Sequence, residues 1–334
     1  MQTRHKIKIV IADYPDVLGR ELEKEYAFLR EVIPDAAIVT HPYTDPEAFY
    51  REMQDADGLL TAFIPLDKTA LDHMPALKAI SINATGYNFV DLEETRRRDI
   101  PVCAIGEYCT QEVADHTMAL MLALDRRLKT YIRTVDSEHC WKYYMASKPM
   151  GLNGSTLGLF GFGKIGCAVA RRARGFGMRV LAVDTHADEQ QAAELGVIIT
   201  DAKTLLRESD VISNHMNLTA ENWHFFDDAG FAAMEKHPIF LNVSRGGSVD
   251  KAALVRALDN GLIHAAGLDV LEAEKPDWEK CALIGRENVI LTPHAAFYSA
   301  RSIEALQRMS CHNLTDCLTG NRAHAFKIVN GVSI

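Results

Sequence analysis

The decapeptide LGLFGFGKIG, residues 157–166, spaces Gly161, Gly163 and Gly166 in the order G-x-G-x-x-G. The apolar run LGLF leads into the glycines and the helix-forming run KIGCAVARRA leads out of them, so they occupy a strand-to-helix turn. Such a turn is suited to a dinucleotide. Gly161 permits the tight bend, Gly163 lets the backbone approach a pyrophosphate, and Gly166 lets helix and strand pack closely. The N-terminus of the helix then faces the phosphates. Eighteen residues beyond Gly166, the run LAVD ends in Asp184. A carboxylate there accepts hydrogen bonds from ribose hydroxyls and repels a 2′-phosphate, which favours NAD over NADP. Helix–strand packing with no nucleotide is the alternative reading of the glycines.

The motif starts about halfway along a chain of 334 residues, of which 48% are hydrophobic. At about 100–200 residues per domain, this length predicts two domains. The formal net charge of −9 repels nucleic-acid backbones and anionic lipid, so neither is expected as a partner. The N-terminal MQTRHKIKIVIADY lacks the apolar core and cleavage site of a signal peptide, and TMALMLAL at 117–124 is too short to span a bilayer. A cytoplasmic protein is expected. Seven cysteines without a C-x-x-C pair predict neither a disulfide framework nor a metal site.

Upstream of the motif, KIVIA, AAIVT, DGLLTAF, ALKAISI and IPVCAI alternate with helical patterns, as in βαβ units. A helical stretch over about 110–129 and an irregular polar segment follow. The second series of strands is expected near 157–161, 179–183, 197–199, 210–214, 239–243, 264–269 and 288–292. The last forty residues read as one long helix and a tail, which must pack on a domain already formed.

Ligands of open α/β sheets bind outside the carboxyl ends of the strands. Polar groups expected there are Arg245 after IFLNVS, Asp269, Glu272 and Glu274 after the strand HAAGLD, and His294 after VILTP. A guanidinium can hold a substrate carboxylate and polarise a carbonyl, an imidazole can exchange a proton with its oxygen, and a carboxylate can favour the imidazolium. His215 is an alternative to His294, and Glu272 to Glu274. Spacing alone leaves both choices open.

GFGKIG, AVDTHAD, NVSRGGSVD, GLDVLEAE and LTPHAAFYS, in this order, resemble the NAD-dependent D-2-hydroxyacid dehydrogenase family. NATGYNFVDLEETRRRDIPV and EYCTQEVADHTMALMLAL extend the resemblance over nearly the whole chain, and TPHAAFYS with HMNLTAENWHFF suggests its D-lactate dehydrogenase-like branch. The fold this implies is α/β, with two doubly wound parallel-sheet domains. A Rossmann NAD-binding domain, 105–296, is inserted into a smaller flavodoxin-like substrate domain, 1–104 and 297–334.

The resemblance implies that Arg245 binds substrate and takes part in catalysis, that His294 is the proton donor, and that Glu274, five residues after Asp269, is its partner. It places His215 in the cofactor loop. The implied NAD contacts are Gly161, Gly163, Lys164, Ile165, Gly166, Asp184, Met216, Asn217, Asn222, Val243, Ser244, Arg245 and Asp269. Thr85 and Gly86 match the loop that holds the substrate carboxylate, and Tyr108 a side chain near the substrate.

Two departures stand out: Asn217 replaces a proline of many relatives, and the stretch after Glu274 is compact for the D-lactate branch. The implied activity is NADH-dependent reduction of a 2-oxo acid to the (R)-2-hydroxy acid by a homodimer, with 126–153 as the dimer arm. Two other outcomes are an NAD(H)-sensing corepressor-like module and oxidation of a small anion such as phosphite or formate.

Overall fold

The computed structural model describes residues 6–273 and 276–333. The chain separates into two compact units, one running to Tyr108 and resuming at Ser299, the other Cys109–Tyr298.

In the first unit, β1 (Lys8–Asp13), α1 (Leu22–Val32), β2 (Ala37–Pro42), α2 (Pro46–Met53) and β3 (Gly58–Thr61) are followed by α3 (Lys68–Asp72), β4 (Ala79–Ile82), α4 (Leu92–Arg97) and β5 (Val102–Cys103). The strands form a parallel sheet in the order β2-β1-β3-β4-β5. This is the flavodoxin-like winding. Alternate residues of β1 enter opposite apolar layers, Val10 with Phe49 and Met53 of α2, Ile9 and Ile11 with Phe28 and Leu29 of α1. Strands buried on both faces explain the near-continuous apolar runs in the sequence.

The second unit opens with α5 (Thr110–Asp125) and α6 (Leu128–Asp136), then β6 (Thr156–Phe160), α7 (Lys164–Gly175), β7 (Arg179–Val183), α8 (Glu189–Leu195), β8 (Val197–Ile199) and α9 (Ala202–Glu208). It continues through β9 (Val211–Asn214), α10 (Asp228–Ala232), β10 (Ile239–Asn242), α11 (Lys251–Asp259), β11 (Ala265–Leu268) and β12 (Val289–Leu291). Its parallel sheet runs β12-β11-β10-β9-β6-β7-β8, a Rossmann winding with a seventh strand. One face packs Leu157 and Leu159 with α5 and α7, the other packs Phe160 and Leu181 with Leu205, Phe231 and Leu254.

The chain then returns to the first unit as α12 (Ala300–Leu318), capped by Ser299 and placing Cys311 and Leu314 in the layer that holds Ile9 and Leu60. No described helix is long and apolar enough to cross a membrane.

The strands follow the sequence pattern to within about two residues, but the helical stretch after residue 109 breaks. Arg127 takes a left-handed φ of 57° and separates α5 from α6. No proline or glycine marks this break. It is set by tertiary bonds: the buried carboxylate of Asp125 accepts the backbone N–H groups of Met150 and Gly151.

Candidate active site

The glycine turn between β6 and α7 is forced by close contacts. At Gly161, with φ of 93°, a Cβ would lie 2.7 Å from the His215 carbonyl oxygen, and at Gly166 it would lie 2.3 Å from the Gly161 carbonyl. Gly163 differs, since a Cβ there meets nothing within 4 Å. The protein has left that space open. The caps give the same contrast. Asp188, Asp201, Asp227 and Asp250 cap α8 to α11 with their side chains, whereas α7 begins at Gly163 with no side-chain cap. No capping side chain thus competes with an anion at the first turn of this helix. Asp184, half-buried just beyond β7, accepts the Phe162 N–H at 2.7 Å and the His186 N–H at 2.8 Å. The carboxylate is thereby fixed beside the glycine turn, where ribose is expected. These residues fit a dinucleotide without a 2′-phosphate.

The neighbouring strand ends are stitched together by buried amides to which no sequence motif assigns a role. Asn214, at the end of β9, donates to Asn242 Oδ1 (3.1 Å) and Ser248 Oγ (2.8 Å), and accepts the Met216 N–H (3.1 Å). Asn242, at the end of β10, accepts the Ser244 N–H and donates to the Arg245 carbonyl at 3.0 Å. Ser244 Oγ donates to the Met216 carbonyl. Met216, Val243 and Ser244 are therefore held in adjoining loops. Asn222 closes its own loop by donating to the Asn217 carbonyl (2.7 Å) and accepting the Thr219 N–H (2.7 Å). Lys164 and Ile165 are the first two residues of α7.

Arg245 has an anchored backbone and an exposed side chain. Its carbonyl accepts Asn242 Nδ2 and Ser248 Oγ, while its guanidinium donates to its neighbour's carbonyl, Ser244 O, at 2.8 Å. Gly246 lets this turn lie against the backbone after β11, since a Cβ would fall 2.0 Å from the Leu271 carbonyl carbon.

Asp269 organises the last turn. Its N–H donates to the Asn242 carbonyl (2.9 Å) and its own carbonyl accepts the His294 N–H (2.8 Å). Its buried carboxylate accepts the Thr292 hydroxyl (2.5 Å) and the N–H groups of Ala295 (2.8 Å) and Ala296 (2.9 Å). His294 is half-buried, in a left-handed conformation with φ of 52°, its ring edge-on to Phe297 at 6.2 Å. Arg245, Asp269 and His294 thus follow the neighbouring strands β10, β11 and β12.

Of the two alternatives left open by spacing, His215 is unsuited to giving protons. Its Nε2 is 2.9 Å from Ser213 Oγ, its Nδ1 is buried without a partner among the described residues, and burial holds its pKa down to about 4. It is neutral at ordinary pH. Glu272 is exposed and sits 3.4 Å from His224. Glu274 lies outside the described residues. In the first unit, Thr85 and Gly86 lie exposed on the loop after β4, and Tyr108 is half-buried. Asn83, buried at the base of that loop, donates to Glu25 (3.2 Å) and accepts the Ser310 hydroxyl (3.0 Å).

A Rossmann sheet with an uncapped glycine turn, a carboxylate fixed beside it, and a guanidinium and an imidazole at strand ends two apart defines a nicotinamide-dependent oxidoreductase. Residues 118–296 match the family model described as the NAD-binding domain of D-isomer specific 2-hydroxyacid dehydrogenases. The chain is 36% identical over 283 residues to the glyoxylate reductase of Thermococcus litoralis, covering 81% of this chain and 85% of the relative. It is 33% identical to glyoxylate/hydroxypyruvate reductase B of Klebsiella pneumoniae over 94% of this chain and 95% of the other. Among solved structures, the D-lactate dehydrogenase of Aquifex aeolicus complexed with NAD and lactic acid aligns with a TM-score of 0.82 at 28% identity. The alignment covers 97% of this chain and 100% of that one. The protein belongs to the D-isomer specific 2-hydroxyacid dehydrogenase family, and is an NAD-dependent oxidoreductase that acts on CH–OH groups.

Proposed function

We propose that this protein reduces short-chain 2-oxo acids with NADH, glyoxylate and hydroxypyruvate before bulkier ones, giving the (R) isomer where the product is chiral. The observation that carries this reading is the lateral chain of backbone bonds from Asn242 to Asp269 to His294, at 2.9 and 2.8 Å. It sets an imidazole two strands from the arginine, on the sheet that also carries the nucleotide turn. The names of the sequence relatives support glyoxylate as first choice. The D-lactate dehydrogenase structure makes pyruvate the second.

Bound NADH supplies the hydride. Reduction leaves negative charge on the former carbonyl oxygen, and His294 delivers a proton to it, sparing the cost of a free alkoxide. Arg245 holds the substrate carboxylate and polarises the carbonyl, while Glu274 favours the imidazolium. We assign Thr85, Gly86 and Tyr108 of the first unit to the substrate, and the glycine turn of the second unit to the cofactor.

We also infer a homodimer. Helix α6 and the segment after it expose Leu128 and Ile132 together with Trp141 (88% exposed) and Tyr143 (85%). Apolar surface gathered on one short segment is typical of a face buried in an assembly. All seven cysteines are thiols, in keeping with the cytoplasm.

The test is NADH consumption with glyoxylate, hydroxypyruvate, pyruvate, 4-methyl-2-oxopentanoate and phenylpyruvate. Turnover that falls along this series supports the proposal. Tight NADH binding without turnover on any of them overturns it. Light scattering of wild type and of Trp141→Ser tests the dimer, which the substitution should weaken.

A further inference from the structure

His116 reaches the His294 turn from α5, an element to which neither the fingerprint nor the strand ends assign any chemistry. Its Nε2 lies 3.0 Å from the Thr292 hydroxyl and 3.6 Å from Asp269 Oδ1. Chemistry fixes the direction of these bonds. An ionised carboxylate only accepts, so the Thr292 proton is committed to Asp269 at 2.5 Å. The Thr292 oxygen has only lone pairs left to offer, and the His116 Nε2–H must be the donor.

The turn that receives this bond needs support. His294 holds a left-handed backbone without being glycine, at a cost of roughly 1–2 kcal/mol. Such conformations persist where the surroundings over-determine them. Here the determining group is Asp269, which takes the N–H groups of Ala295 and Ala296 on its carboxylate and that of His294 on its carbonyl. A buried carboxylate in turn depends on the donors around it. His116 completes that set from the far side of Thr292, with its Nε2 3.6 Å from Asp269 Oδ1.

We propose that His116 is a positioning residue for hydride transfer: through Thr292 and Asp269 it holds the 292–296 turn in the form that aims His294. The inference rests on the reading of His294 as proton donor. His116 touches no reacting atom; it acts through the turn.

The experiment compares His116→Leu, which removes the donor, with His116→Gln, whose amide nitrogen can stand where Nε2 stood, and with Thr292→Val. With NADH and glyoxylate, His116→Leu is expected to lower kcat about tenfold while leaving KM and NADH affinity within about twofold, the signature of a misplaced catalytic group. His116→Gln should recover most of the loss. The His116→Leu/Thr292→Val double variant should be no slower than Thr292→Val alone, because both break one chain of bonds.

The second readout is the His294 ring resonance in histidine-labelled, NADH-bound protein, assigned by its loss in His294→Gln. It should move in His116→Leu and return in His116→Gln. Wild-type kcat in His116→Leu, a deficit that Gln does not repair, or losses that multiply in the double variant overturn the inference. If the wild type reduces no 2-oxo acid, the proposed function falls instead. The resonance then decides alone, and its staying put in His116→Leu overturns the positioning role.

Discussion

Between β6 and α7 the chain turns on glycine, and after β12 it turns on hydrogen bonds. At the first turn, Gly161 and Gly166 accept backbone contacts that no side chain tolerates, and Gly163 opens onto unfilled space. At the second, a histidine is held in a glycine-like conformation by a carboxylate from β11, a hydroxyl from its own loop and an imidazole from α5. The first turn is made from consecutive residues. The second is assembled from positions 116, 269, 292 and 294. A cofactor backbone needs room and N–H groups, which local sequence can supply, whereas a proton donor needs aim, which takes partners from elsewhere in the fold.

The largest effect should come from removing the group that is aimed. His294→Gln keeps a polar side chain but has no group that gives up or takes up a proton as an acid or base near neutrality, so kcat for glyoxylate should fall by about a thousandfold. NADH affinity, read by fluorescence titration, should change less than about threefold, because the glycine turn is untouched. An equal loss in both quantities would show that the two turns are not separable.

The glycine turn can itself be divided into structural and binding parts. Gly161→Ala forces a Cβ to within 2.7 Å of the His215 carbonyl at a φ of 93°, so thermal or denaturant unfolding should show a loss of about 3 kcal/mol. Gly163→Ala meets nothing and should leave stability within about 0.5 kcal/mol. Its cost should appear in NADH binding, weakened about tenfold or more by a methyl group in the space kept for the pyrophosphate. Equal stability losses in both variants would remove the distinction.

Asp184 joins the two halves of the cofactor argument, holding the Phe162 N–H of the glycine turn with one oxygen and the His186 N–H with the other. Asp184→Ala should raise the NADH dissociation constant about tenfold, the worth of one lost hydrogen bond to a charged group. NADPH should be affected less, so the ratio of the two constants is the sharper measurement. An unchanged ratio would take the ribose away from this residue.

The same contrast decides what the sequence discloses. The glycine spacing, Asp184 and every strand of both sheets could be read from consecutive residues, since burial on both faces writes apolar runs and turns write glycine. The break at Arg127 could not, because it depends on Asp125 capturing the N–H groups of Met150 and Gly151 far along the chain. Asn214 and Asn242 look like ordinary polar strand ends, yet each satisfies buried groups of neighbouring strands. His294 and Glu274 each have a rival in the sequence, His215 and Glu272, and it is the resemblance that selects between them. The structure adds a physical reason for rejecting His215.

That histidine gives the finest test, because it lies beneath the glycine turn and presents its carbonyl to Gly161. Its pKa is lowered from 6.5 to about 4 by burial, so the unfolded chain binds its proton first as the pH falls. The linkage has a definite sign. The full contribution of a neutral His215 is present above pH 6.5, declines as the pH drops toward 4, and is gone below it. At about 1.4 kcal/mol per pKa unit the ceiling is near 3 kcal/mol, and the part of the side chain that reaches solvent reduces the expected loss to about 2 kcal/mol. His215→Gln, which cannot charge, should therefore lose less stability than wild type between pH 7 and 4 in denaturant titrations. Parallel curves for wild type and His215→Gln would mean that this imidazole takes up its proton as readily beneath the cofactor turn as in the unfolded chain.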